Sequence, residues 1–201
     1  MIAHATDLCR TANTPYTNAL VDMLILGFFF LLRSGEYAAT DNPDSTPFRF
    51  QDIHLLINAR HLHPFTASDA ELHQVNFIAL ESTNQKNGVR GELIGLGRSG
   101  HPHWCPVYAI LSRIRHLRAH NAPLHTPLYQ YFNNSWHSIT SSVLTNQLRI
   151  AVTSLGPTYG IQPLDISVRS LRASGAMALL SAGADTDVIR LLGRWHSNEM
   201  L

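Results

Sequence analysis

Lysine is almost missing from this chain. Lys86 is the only one, so arginine carries nearly all of the positive charge. Arginine offers a planar, two-pronged donor suited to phosphate and carboxylate. Cysteine is also scarce. Cys9 and Cys105 stand far apart, which excludes a disulfide framework and a metal-finger spacing and makes an intracellular protein the default. Charged residues make up only 14% against 45% hydrophobic, a globular composition that excludes a disordered or fibrous chain. Long apolar runs are absent. The nearest, MLILGFFFLL from Met23 to Leu32, is bounded by Asp22 and Arg33. A membrane span needs about 20 apolar residues, so this run is a buried core helix. It begins too late, and lacks the basic leader, to be a signal peptide. There is no internal repeat and no low-complexity tract. A length of 201 residues suits one domain with at most a small extension.

The net charge of +1 hides an uneven distribution. Residues 1–85 hold four arginines and nine acids, a balance of −5. Residues 86–172 hold Lys86, eight arginines and two acids, a balance of +7. Residues 173–201 return to −1. A basic middle segment fits a polyanion such as nucleic acid; a solvated basic face is the competing reading.

The apolar pattern predicts one buried helix over 17–32, with Thr17 as its cap. Residues 41–47 read as a polar loop. FRFQDIHLLI, from Phe48, suits a strand, while 59–74 carries mixed signals. Val75–Leu80 and Val89–Leu96 alternate as strands on either side of Asn87-Gly88, a hairpin dipeptide, which puts Lys86 at a β-hairpin tip. Pro106–His120 has helical spacing: Val107, Ile110, Leu111, Ile114 and Leu117 share one face, with Arg113, Arg115 and Arg118 around the remainder. Helices are also expected over 138–154 and 171–182, the latter stopped by Gly183 in a left-handed cap. A short helix capped by Asp185 runs to Leu192 and ends at Gly193. The fold class is therefore α+β, mainly α-helical, with a small antiparallel β-sheet near residues 48–96.

Metal-free phosphodiester chemistry needs several fixed cations around one phosphorus and a proton donor for the leaving oxygen. Arg33, Lys86, Arg169 and Arg172 are the candidates, with Trp195 and His196 near the end. His101-Pro-His103-Trp-Cys105 places three potential metal ligands close together. It lacks a fourth group at a standard spacing, so no metal is expected.

The contexts of these cations resemble the catalytic domain of tyrosine recombinases, the phage-integrase family. LLRSGE, Leu31 to Glu36, resembles the box that carries the family's first arginine, including the glutamate three residues on. Lys86 resembles the β-hairpin lysine. RSLRASGAMALLSAGADTDVIRLLGRW, Arg169 to Trp195, resembles the second box: His-x-Leu-Arg, a helix, a Gly-turn, then Leu-Gly-His or a tryptophan variant. The Leu-Gly-Arg-Trp ending is similar to recombinases of eukaryotic mobile elements. The likeness runs from about residue 17 to the end. It implies an N-terminal extension or remnant linker over 1–16 and a recombinase catalytic domain over 17–201.

What the resemblance implies is DNA cleavage and rejoining through a 3′-phosphotyrosine. Arg33 and Arg172 would clamp the scissile phosphate. Lys86 would be the general acid for the leaving 5′ oxygen. Trp195, or Arg194 in strict register, would take the place of the family's histidine or tryptophan. Arg90, Arg194 and His196 are candidate DNA contacts. No cofactor is implied. The partner is double-stranded DNA, a complete enzyme would be a homo-oligomer (a tetramer on DNA), and it would work inside the cell at DNA, in the nucleus for a eukaryotic element.

Two departures qualify the likeness. Arg169 stands where the family has histidine, and arginine stays protonated, so it can stabilise charge but cannot act as a base. The nucleophilic tyrosine is also missing: all six tyrosines precede the second box, and by family spacing the expected one would fall shortly after Leu201. The domain is thus expected to be C-terminally incomplete, without the family's separate clamp domain, and inactive alone. The alternatives are a non-catalytic DNA-binding module, since 171–192 overlaps a helix-turn-helix pattern, and a degenerate relic.

Overall fold

The computed structural model describes residues 2–82 and 91–195. The described chain is mainly helical, with one small four-stranded antiparallel sheet and a separate two-stranded ribbon.

Helix α1 (Ile2–Arg10) buries Ile2, Ala5 and Cys9. These residues, expected to lie in an extension, join the same hydrophobic core as the rest. Helix α2 (Pro15–Phe29) is the apolar run of the sequence, buried almost all round from Ala19 to Gly27. Its cap is Thr14, not Thr17. The Thr14 hydroxyl accepts the Thr17 N–H, and the Thr17 hydroxyl accepts the Thr14 N–H at 2.8 Å. This reciprocal box satisfies two orphan donors and leaves Pro15 in the first turn, where its missing N–H costs nothing. The helix also ends earlier than expected: Leu31 turns left-handed at φ 50°.

Two strands, β1 (Ile53–Ile57) and β2 (Arg60–Leu62), precede helix α4 (Asp69–Gln74). Strands β3 (Phe77–Ser82) and β4 (Glu92–Gly97) complete the sheet in the order β2-β1-β3-β4. Within it, Ile53, Leu55, Ile78, Leu80 and Ile94 are buried in the core. The connection between β3 and β4, containing Lys86 and Arg90, lies outside the described residues, as does His196.

Helix α5 (Pro106–Ala119) buries the five apolar residues of its expected face. Arg113, expected on the outer face, is buried with them. Its guanidinium donates to the carbonyls of Leu128 and Gln130 and lies 3.9 Å from Asp22. Asp22 also accepts the Ser112 hydroxyl at 2.7 Å. Burial pushes the Asp22 carboxyl up to about 7, a shift that Arg113 and Ser112 oppose. Three more of the chain's eight central arginines serve the fold in a similar way. Arg98 donates to the Val75 and His73 carbonyls, Arg118 to Ala67 and Arg149 to Ile166. The basic middle segment is therefore in good part a set of guanidinium braces on loop carbonyls, a use that charge counting does not separate from polyanion binding.

A ribbon of β5 (Gln130–Asn133) and β6 (Ser135–Ser138) leads into the long helix α6 (Ser141–Tyr159). Helix α7 (Arg169–Ser181) follows, and Gly183 takes the left-handed turn at φ 81°. Asp185 then caps α8 (Thr186–Gly193) by accepting the Asp187 N–H. No helix among the described residues is long and apolar enough to cross a membrane.

Candidate functional site

The stretch after α2 places Arg33. Leu31 is fully buried, packed with Ala176 and Ile189 from α7 and α8. A leucine in the left-handed region costs about 1–2 kcal/mol, and its burial offsets that strain. The turn delivers Arg33 to the N-cap position of the single-turn helix α3 (Ser34–Tyr37).

Arg172 comes from the other end of the chain. Gly175, one turn further along α7, makes its position possible. A Cβ there would stand 2.3 Å from the Phe28 carbonyl oxygen and 2.4 Å from a Leu31 methyl. Only glycine lets α7 lie this close to the end of α2. Gly27 on α2 answers it: a Cβ there would meet the Tyr37 ring at 2.8 Å. The Tyr37 hydroxyl in turn donates to the Val168 carbonyl at 3.1 Å, tying α3 to the start of α7.

Arg33, Arg169 and Arg172 thereby line one cleft of about 1360 Å³, with Trp195 in its wall. Thr40, Ser45 and Ser141 add hydroxyls, and Asp44 and Glu36 are its two carboxylates among the described residues. The Arg172 guanidinium lies 4.2 Å over the Trp195 ring, and it donates to the Gly193 carbonyl. Gly193 is required here as well, since a Cβ would collide with the indole at 1.6 Å. Arg169 is exposed at the start of α7.

Glu36 organises the floor. One of its oxygens accepts the Arg33 N–H at 2.7 Å, and the other lies 3.4 Å from the Arg33 guanidinium. It also accepts from Arg194 at 2.8 Å, in a pair almost sealed from solvent. Arg194, a candidate DNA contact by sequence, is thus turned inward. It takes a left-handed conformation at φ 55° just after α8, with its side chain 1% exposed. From there it pairs with Glu36, one of the residues that line the cleft.

Positive charge exceeds negative at this point. Burial, together with Arg33 and Arg194, pushes the Arg172 guanidinium down to about 10, and Glu36 opposes the shift. Arg172 still carries its charge at neutral pH. Among the described residues, Nη1 of Arg172 and Nε and Nη1 of Arg194 are buried without a hydrogen-bond partner. A buried donor left unmade costs about 1–3 kcal/mol, more when charged, so Nη1 of Arg172, the one of these donors on a residue that lines the cleft, favours an oxyanion that supplies the missing acceptor. No tyrosine lines the cleft among the described residues.

The sequence pointed to Arg33, Arg169, Arg172 and Trp195, and these four do share the cleft. Lys86, Arg90 and His196 lie outside the described residues. Glu36 was read only as part of a box; its bond to Arg194, across the length of the chain, left no local signal. The same holds for the hydroxyls of Thr40, Ser45 and Ser141.

Elsewhere, a recess of about 500 Å³ gathers His54, His61 and His63 beside Phe65. No group of three or more histidine, cysteine or acidic side chains among the described residues is arranged to hold a metal. Compared with known proteins, the chain matches no protein-family model and no curated protein.

Proposed function

We propose that the cleft binds a DNA phosphodiester, and that this chain is the catalytic portion of a tyrosine-recombinase-like enzyme that breaks and rejoins DNA strands. One observation carries the reading. Arg33 and Arg172, 139 positions apart in the sequence, line a single cleft with Arg169 and Trp195, and one buried guanidinium donor of Arg172 lacks an acceptor. Two arginines on one phosphate supply paired, charge-assisted donors to the non-bridging oxygens, where negative charge grows in the transition state. The recombinase-like fold, a tetramer on DNA and action in the nucleus belong to the same proposal.

Arg169 adds a permanent cation at the rim and takes no proton. Proton donation to the leaving oxygen falls to Lys86 in this scheme. The nucleophile must come from outside the described cleft. A nicked suicide DNA substrate tests the reading. The chain as given forms no covalent adduct with it, because a serine such as Ser197, with no assigned base, is a poor nucleophile. A chain carried further, through a tyrosine, forms one, and Arg172→Ala removes most of it. An adduct on the present chain would relocate the nucleophile among the six tyrosines. Unchanged adduct formation in the Arg172→Ala variant would end the assignment of the cleft.

A further inference from the structure

The β5–β6 ribbon carries aromatic rings on both faces. Its cross-strand pairs include Tyr131 with His137 and Phe132 with Trp136. Successive pairs point to opposite sides of a ribbon. On one face the Tyr131 and His137 rings stack at 5.5 Å with a 26° tilt. On the other, Phe132 stacks on His120 at 4.6 Å and meets Trp136 edge-on at 5.5 Å. Trp136, His137 and His120 are exposed. The ribbon itself has no acidic residue, and none occurs anywhere from Leu93 to Leu164.

The ribbon is continuous with the cleft. Past β6, the Ile139 carbonyl accepts the Ala39 N–H at 2.9 Å, and the Ala39 carbonyl accepts the Ser141 N–H at 3.0 Å. Ser141 lines the cleft. Trp136 lies only a few residues before it, so at about 3.3 Å per residue the rings stand within roughly 17 Å of extended chain from the cleft wall. Tyr131 packs against the core, but Trp136 is exposed, so a core explanation does not cover it. An exposed indole on a ribbon free of acids, beside an arginine-lined cleft, matches how single strands are held: bases stack on aromatic side chains while cations follow the backbone.

We propose that the β5–β6 ribbon is a stacking platform for unpaired bases of the nucleic acid whose phosphate enters the cleft. It rests on the nucleic-acid reading of that cleft. Its ligand class is a DNA with a single-stranded tail or an opened segment next to the bound phosphate, and Trp136 is the ring that takes a base.

Fluorescence anisotropy with labelled DNA at fixed salt tests it, using a blunt duplex, the same duplex with a short thymine tail, and that duplex with an abasic tail. The thymine tail tightens binding about tenfold, the scale of one stacked base, and the abasic tail does not. Trp136→Ala loses the gain and leaves blunt-duplex binding unchanged; Trp136→Phe keeps most of it. Circular dichroism checks that each variant folds. A gain that survives in Trp136→Ala, or that the abasic tail reproduces, overturns the proposal. So does a Trp136→Ala variant whose sedimentation shifts to a smaller species while the tail gain stays, which would make the ribbon a protein contact. Duplex binding with no tail gain overturns the platform alone. Failure to bind any of the DNAs overturns the cleft reading with it.

Discussion

Arg194 donates to Glu36 at 2.8 Å across 158 positions of sequence, and both side chains are nearly sealed from water. This pair ties the single-turn helix α3 to the end of α8, and the same carboxylate meets Arg33. Glu36 is the near counter-charge for both Arg33 and Arg194, so it holds together groups that would otherwise repel.

Removing that carboxylate should therefore be costly. Glu36→Ala leaves Arg194 buried and uncompensated, and breaking a buried pair from one side costs about 3–5 kcal/mol. Replacing both partners, as Glu36→Leu with Arg194→Met, should cost clearly less than the sum of the single changes, because no orphan charge remains. Urea unfolding of the four proteins measures the coupling. Additive losses would mean that the pair does not interact in solution.

Gly175→Ala is expected to be destabilising although alanine favours helices. Its Cβ would sit 2.3 Å from the Phe28 carbonyl oxygen, which must push α7 off α2. Overpacking of this sort costs about 1–3 kcal/mol. The displacement also moves Arg172 relative to Arg33, so DNA affinity should fall along with the unfolding midpoint. A neutral or stabilising change would show that the two helices are not this close.

Gly193→Ala should act on the site more than on the fold. The indole of Trp195 must leave its place, and Arg172 is then deprived of a cation–π interaction worth about 0.5–2 kcal/mol. The readout is tryptophan emission, red-shifted in the variant, with Trp104→Phe and Trp136→Phe in the background so that Trp195 alone reports. Unaltered emission would contradict the packing of Trp195 against Gly193.

DNA binding should weaken steeply with salt, because bound phosphates release counterions. Arg33→Ala and Arg172→Ala should each flatten the plot of log affinity against log salt by about one unit of slope for every phosphate that the variant no longer neutralises. Arg118→Ala should leave the slope nearly unchanged, since its guanidinium braces the Ala67 carbonyl. Equal slopes for all of these proteins would mean that the cleft arginines do not meet phosphate.

His116 sets an acid limit on stability. Its Nε2 accepts the Phe132 N–H at 2.8 Å, which requires the unprotonated nitrogen. Burial first, then Arg113 and His120, hold the imidazole down to about 4, below its unfolded value near 6.5. Because the unfolded chain takes the proton first, the stabilisation is complete above about 6.5 and is lost as pH falls toward 4. His116→Gln keeps an acceptor without that proton equilibrium. Urea midpoints at pH 7 and pH 4.5 should fall more for the parent protein than for this variant; an equal fall would show that His116 sets no such limit.

Local chemistry was legible in the sequence wherever one segment carries its own reason. The run from Met23 to Leu32 is too apolar to be anything but buried, and the α5 pattern names its inner face residue by residue. Gly183 announces a left-handed turn, and Asp185 a helix start. The arginine boxes carry no such local reason and stand out only by their resemblance to a family. What no segment encodes is which distant groups meet. Arg113 has the spacing of a surface residue, yet it is buried because Asp22 and two carbonyls await it there. Arg194 reads as a terminal cation and becomes an internal one because α8 ends in a left-handed turn beside Glu36. Leu31 could be placed in a helix by its neighbours, but the space between α7 and α8 rewards its burial enough to bend the backbone. In each case the deciding term is desolvation, which depends on every surrounding element at once and so exists only in the folded chain.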